Sequence, residues 1–374
     1  MIQKVSKKIK FLVAVIGSLL ITSVSAFGMY GVDGNDWINF LTHGNQLRAR
    51  MEQLGFVLGN GTIKGTVGVK ADTGYMGKIL SADGNNKVLF EPTLSAGIGY
   101  TSDMFGIGVG YNFTYVDEYL QVHTPTLVFN ALNNNLRLSV PIQVAVTDNA
   151  YGNGSKWTGV GFNQIELRYY TGIDAFNYIR LDVSYLNAAL EEGANKYVQE
   201  DLKLQLRLYF LKTQIGNVTV NPYIRIEYAQ ALQGDLNANY MTIGDTYAEN
   251  KRGLNTTTQK QSDIYDVSPF SLHIRPVLSL AASSDVVSLY FEPAIGYSMA
   301  SSKAKGMEQV TTHALNWQAY AEMYVTPVKD LEWYFEMDVN GNVAGKNNQI
   351  ANAYLPPVLF ETTTGITWYL PSLN

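Results

Sequence analysis

Ionisable residues in this sequence recur at alternate positions, not at helical spacing. Arg137, Arg168, Arg180, Arg207, Arg225 and Arg275 each sit between apolar neighbours, as do Glu166, Asp182, Glu227, Glu292, Glu322, Glu332, Glu336 and Asp338. In an extended chain, residues two apart share one face, so every one of these charges lies opposite a row of apolar side chains. The arginines fall in the middle of the chain, and most of the acids towards its end. Opposed charges lining an aqueous passage create a transverse field and screen solutes by charge and hydration. These are the candidate pore-lining residues. The same groups serve equally to cross-link an interior or to hold a plug inside it.

Other chemistries find little support. His43, His123, His273 and His313 are far apart, with no paired metal-ligand spacing. Gly59-Asn60-Gly61 and the glycines from Gly97 to Gly110 resemble a phosphate-cradling loop only superficially, because the latter alternate within a strand and no lysine-serine pair follows. There is no cysteine, hence no disulfide, thiolate metal site or thiol nucleophile. No catalytic constellation is apparent, and neither an enzyme nor a cofactor is expected.

The elements that position the charges are strands. Phe105, Ile107, Val109, Tyr111, Phe113 and Tyr115 share one face, against Gly106, Gly108, Gly110, Asn112 and Thr114 on the other. Leu202 to Phe210 and Leu331 to Val339 repeat this period of two, which no helix could bury. The pattern predicts strands near 60–70, 91–100, 104–116, 125–132, 136–146, 160–171, 176–186, 201–211, 218–229, 269–280, 286–298, 313–325, 331–340 and 358–370, which is 14 in all. Tight turns are expected at Thr101–Asp103, Asn133–Asn135, Gly172–Asp174, Ile215–Asn217, Ser283–Asp285 and Pro327–Lys329. Between them fall longer polar stretches near 71–90, 117–124, 147–159, 187–200, 230–268, 299–312 and 341–357, so short and long connections alternate. Membrane barrels carry this asymmetry of short turns and long outer loops. Pro222, Pro276 and Pro293 interrupt strands and are expected at local irregularities.

Aromatic residues divide in the same way. Tyr100, Phe105, Tyr169, Phe210, Trp333 and Trp368 lie near the short turns on the apolar face; Tyr115, Tyr185, Tyr228, Phe270, Tyr297 and Trp317 lie towards the long loops. Two interfacial girdles account for that placement.

The beginning of the chain reads as an export signal. Lys4, Lys7, Lys8 and Lys10 precede the apolar stretch Phe11–Ile21 and the small-residue site Val24-Ser25-Ala26. Without the four lysines of residues 1–26, 23 basic residues stand against 32 acidic ones, a net charge of −9. Nucleic acid is therefore not an expected partner. From Asp33 to Leu58 two readings compete. Phe40, Leu47, Met51, Leu54 and Leu58 make a helical stripe, with Asp36 as a cap, while Leu47, Ala49 and Met51 against Arg48, Arg50 and Glu52 suit a strand. A short helix below or inside the barrel is the favoured expectation.

The segment from Asn35-Asp36-Trp37-Ile38-Asn39-Phe40 through Gly59-Asn60-Gly61-Thr62-Ile63-Lys64-Gly65-Thr66 resembles the mature start of the variable surface proteins of intestinal spirochaetes. The resemblance implies an abundant, antigenically variable outer-membrane protein that associates into larger assemblies, a homo-oligomer among them. It supplies no catalytic residues. The usual terminal aromatic assembly signal is displaced, since Leu370-Pro371-Ser372-Leu373-Asn374 follows Trp368-Tyr369.

The expectation is thus an all-β, transmembrane, antiparallel up-and-down β-barrel of about 14 strands with a short N-terminal helical segment. Residues 1–26 are the signal peptide, 27–58 a periplasmic or plug-like segment, and 59–374 the barrel. Its expected partners are outer-membrane lipid and the barrel assembly machinery. The expected role is a major surface antigen of the outer membrane. The alternative is a diffusion channel for small polar solutes, and a weaker one is a hydrophobe transporter.

Overall fold

The computed structural model describes residues 38, 41, 46–50, 53–60, 62–72, 91–234, 242–250, 261–344 and 358–369. The expected signal segment 1–26 and residues 73–90 and 345–357 of the expected loops 71–90 and 341–357 lie outside the described residues, as does the tail 370–374. Twenty strand segments form one antiparallel sheet. They are β1 (Gln46–Arg50), β2 (Gln53–Gly59), β3 (Ile63–Asp72), β4 (Glu91–Thr101), β5 (Phe105–Tyr115), β6 (Gln121–Ala131), β7 (Leu136–Pro141), β8 (Gln143–Ala150), β9 (Ser155–Tyr170) and β10 (Tyr178–Glu192). There follow β11 (Asn195–Tyr209), β12 (Thr213–Ile215), β13 (Val218–Val220), β14 (Tyr223–Gln233), β15 (Tyr265–Val277), β16 (Leu280–Ser283), β17 (Val287–Ala304), β18 (Val310–Val328), β19 (Leu331–Ala344) and β20 (Val358–Tyr369). Helices α1 (Ile243–Asn250) and α2 (Gln261–Ile264) occupy the connection between β14 and β15.

Each of the 14 expected strands has its counterpart between β3 and β20. The helix favoured within 33–58 is not what residues 46–50 and 53–59 form. They make the hairpin β1–β2, with Arg50 opposite Gln53. Both sides of this hairpin are paired: β2 runs along β3, and β1 along β20 through Arg48–Tyr369, Ala49–Trp368 and Arg50–Thr367. Two unfilled edges outweigh a weak helical stripe, because every backbone N–H and C=O along them gains a partner.

Prolines mark the breaks. Pro222 falls between β13 and β14, and Phe210 N–H donates to its carbonyl at 3.0 Å. Pro276 lies near the end of β15, and Leu278 N–H bonds the Pro293 carbonyl at 3.1 Å across the gap before β16. Missing donors interrupt the ladder locally without ending it.

Strand β5 alternates exposed Phe105, Ile107, Val109 and Tyr111 with buried Gly106, Gly108 and Asn112. The glycines of that inner face serve packing. Ile38 and Leu41, both buried, form a cluster with Val128. A methyl group at Gly110 would come within 2.3 Å of Ile38 Cδ1, and one at Gly108 within 3.2 Å of Leu41 Cδ1. Alternate glycines thus make a floor on which Ile38 and Leu41 rest.

The far end of the sheet departs from the expected long loops. Strands β9, β10, β11, β17 and β18 run past their expected limits, leaving connections of only 151–154, 193–194 and 305–309. Beyond the apolar zone these hairpins continue on polar pairs, such as Glu191–Lys196 at 3.1 Å. The stretch 230–268 is likewise more than a polar loop. Its helix α1 buries Ile243 and Tyr247 in a cluster with Val116, Leu120, Ala145, Trp157, Leu186 and Leu190.

Candidate functional site

Antiparallel pairing aligns the six arginines into a single row. Arg137 faces Arg168, Arg168 faces Arg180, Arg180 faces Arg207, Arg207 faces Arg225, and Arg225 faces Arg275. Like charges directly opposite each other repel. A second row, two residues along each strand, offsets part of that cost: Glu166 faces Asp182, which faces Gln205, which faces Glu227. Arg168 Nε lies 2.6 Å from Glu166 Oε1, Arg180 Nη2 2.8 Å from Glu166 Oε2, Arg180 Nε 3.2 Å from Asp182, and Arg225 Nη2 2.8 Å from Glu227. Buried charges tolerate burial when paired and hydrogen-bonded in this way.

Uncharged partners hold other members of the row. Arg207 Nε donates to Gln205 at 2.8 Å and its guanidinium lies 5.9 Å from the Tyr223 ring centre. Arg137 lies 5.6 Å from the Tyr170 ring centre. Arg275 donates to Gln318, which in turn donates to Asp338 at 2.6 Å.

A third row, of tyrosines, flanks the arginines on the other side. Tyr170, Tyr178, Tyr209 and Tyr223 face one another in turn, with ring centres 4.5, 4.7 and 4.4 Å apart. Reasoning from charge alone missed this row. Its signal was present, because each tyrosine stands two residues from an arginine on the same face. The same spacing joins Tyr290 to Glu292 and Tyr320 to Glu322, and in both cases the phenol donates to the carboxylate. Tyr223 donates to Glu292 as well, at 2.9 Å.

These groups enclose a cavity of about 550 Å³. Arg168, Arg180, Arg207, Arg225 and Arg275 line it together with Glu292, Glu322 and Asp338. Glu166, Asp182 and Glu227 stand behind the arginines as their ion-pair partners. Glu332 is buried, with Tyr369 Oη 3.5 Å away, and Glu336 is register partner to Glu322. Arg137 stands at the end of the row, its Nε donating to the Asn134 carbonyl at 3.3 Å. Of the histidines among the described residues, His273 faces Glu227 across the ladder. His123 and His313 are on the outer surface, bonded to Tyr111 and Tyr297.

Of the expected girdle residues, Tyr100, Phe105, Tyr115, Tyr297, Trp333 and Trp368 are exposed. Tyr169, Tyr185, Phe210, Tyr228, Phe270 and Trp317 are half-buried. Rings from neighbouring strands meet, with Tyr100–Phe105 centres 5.8 Å apart and Tyr228–Phe270 6.0 Å.

Beyond the cavity, α1 covers the far-end interior. The Tyr247 ring stacks on Tyr151 at 4.5 Å and meets Trp157 edge-on at 5.3 Å. Burial of both phenols raises their pKa, that of Tyr247 to about 12. Sequence reasoning gave no hint of these anchors.

Comparison with known proteins gives one match by family. No curated protein matches the chain. Among solved structures it is similar to a bacterial polysaccharide outer membrane secretin, with 12% identity and a TM-score of 0.44, over 85% of this chain and 90% of that one. It is also similar to the loop L8 deletion mutant of OmpT, an outer membrane protein of Vibrio cholerae, with 8% identity and a TM-score of 0.33, over 87% and 97% respectively. The profile described as Serpulina hyodysenteriae variable surface protein matches residues 8–369, nearly the whole length. The chain belongs to this variable surface protein family.

Proposed function

We propose that the chain closes as a barrel in the outer membrane, presents its loop end at the cell surface as a variable antigen, and passes small polar solutes through a narrowed lumen. The observation that carries this reading is the division of the sheet into two faces. One is apolar and exposed; the other sets an arginine row around a solute-sized cavity. Only a membrane makes such an outer face favourable, and only closure satisfies a sheet edge within lipid. Merged across their four breaks, the segments give sixteen staves, an even number of the kind single-chain barrels use. A ring of that size is wider than side chains alone can fill.

In this reading residues 1–26 direct export, and the part of 27–58 before β1 enters the lumen as a partial plug, which the packing of Ile38 and Leu41 on the glycine floor supports. Outer-membrane lipid and the barrel assembly machinery are its partners. A hydrophobe transporter fits less well, since an apolar cargo would have to displace water from five arginines. Reconstitution of the purified chain in planar bilayers tests the channel. Stepwise conductance is expected; a silent bilayer with insertion confirmed rejects it. Surface labelling of intact cells at 305–309 tests the orientation.

A further inference from the structure

Two neighbouring arginines in the cavity are poorly provided for. Arg225 and Arg275 are register partners on β14 and β15 and line the same cavity. Among the described residues one carboxylate, Glu227, bonds to the pair, through Arg225 alone. Arg275 is held by the neutral amide of Gln318. The Nε atoms of both arginines are buried without a hydrogen-bond partner. A charged donor left unmet in this way is costly, because burial removes its water without supplying an acceptor. Two guanidinium forks side by side match the geometry of a carboxylate, which each can grip through an Nε–Nη edge after a small rotation.

The same cavity carries the opposite deficit beside these arginines. Glu292 accepts from the hydroxyls of Tyr223 and Tyr290, and Asp338 from the amides of Gln318 and Asn340. Negative charges there are held by neutral donors, as Arg275 is held by a neutral acceptor. Gln318 fixes how far apart they stand. Its two amide ends touch Arg275 and Asp338, so the bonded charged atoms are at most about 7 Å apart, two hydrogen-bond lengths plus the width of an amide.

We propose that this cavity is a binding site for short zwitterionic peptides. The terminal carboxylate lies on Arg225 and Arg275, and the terminal ammonium on Asp338 or Glu292. A residue in extended conformation spans at most about 3.3–3.6 Å, so two residues place their termini at the required separation. A simple anion would satisfy the arginines but meet the neighbouring carboxylates; a simple cation would suffer the reverse. The inference rests on the lumen being reached by solutes, as proposed above.

Titration calorimetry on the detergent-folded full chain tests it, with glycylglycine, N-acetyl-glycylglycine, glycylglycine amide and glucose as probes. Glycylglycine is expected to bind, with each capped form at least tenfold weaker and glucose silent. R275Q and D338N should each lower glycylglycine affinity by a similar factor while keeping the heat-modifiable gel shift of the folded barrel. Equal binding of the capped and uncapped forms, or no binding of glycylglycine, overturns the proposal. Because this comparison uses the unmodified protein, it stands even where a variant fails to fold. Bilayer conductance is recorded in parallel. A conducting pore that ignores glycylglycine removes this inference alone, whereas a silent bilayer removes the channel reading beneath it.

Discussion

The hydroxyl of Tyr247 accepts the backbone N–H of Tyr151 at 3.0 Å, and the hydroxyl of Tyr151 donates to the carbonyl of Tyr247 at the same distance. This reciprocal pair ties α1 to the turn between β8 and β9. With their rings stacked at 4.5 Å, the two residues latch α1 onto the sheet.

Weakening the latch should free the connection. Y247F keeps the ring stack and removes one acceptor, a loss of about 0.5–1.5 kcal/mol. I243A removes a fully buried side chain and should cost about 2–5 kcal/mol of docking. Limited proteolysis of intact cells measures this. Cleavage between residues 234 and 264 should be modestly faster in Y247F and much faster in I243A, while cleavage at 193–194 stays unchanged.

Alkali should do the same without a mutation. Burial raises the Tyr151 and Tyr247 pKa values above the ordinary 10.0, that of Tyr247 to about 12. A phenol whose folded-state pKa is raised favours folding fully below its unfolded value. That contribution is then lost as pH climbs towards the folded value. Docking of α1 should therefore be constant up to pH 10 and weaken between about 10 and 12. Tyrosinate absorbance followed alongside protease sensitivity checks it, and Y151F should blunt the transition.

Substitution of one glycine should displace the N-terminal segment. A Cβ at Gly110 would lie 2.3 Å from Ile38 Cδ1. In G110V the segment before β1 should leave its floor, seen as raised bilayer conductance and faster protease removal of the N-terminus. G154A, at a turn with nothing nearby, has positive φ and should lower stability slightly without changing conductance.

Much of this arrangement was legible because strands advertise themselves by a period of two. Leu202 to Phe210 and Leu331 to Val339 needed no tertiary knowledge to reveal their faces, and Pro222 and Pro276 forecast breaks beside them, while Pro293 sits within the continuous β17. What decided β1 was distant: Leu47 and Met51 suit either helix or strand, and the vacant edge of β20 settled the matter. The arginine row was visible as a set but not as a row. Its alignment depends on turn lengths and on the bulge between Val183 and Tyr185, and neither can be read from alternation. Helix α1 was invisible because a helix this short is held by its partners, not by its own propensity.

The outer face gives a sharper energetic test. Ile295, near the middle of β17, is 65% exposed on the face assigned to lipid. I295R should destabilise the folded barrel by about 2–4 kcal/mol, as measured by urea titration in bilayers. S298R, directed to the opposite face, should cost less.

Closure of the sheet is the claim on which the rest depends, and the absence of native cysteine makes it directly measurable. Ala49 and Trp368 are register partners on β1 and β20. Oxidation of the A49C/W368C double variant in outer membranes should link residues 49 and 368 and give a cyclic species with altered gel mobility, reversed by reductant. Failure of that link, while the hairpin control A49C/L54C forms its disulfide, would contradict the account.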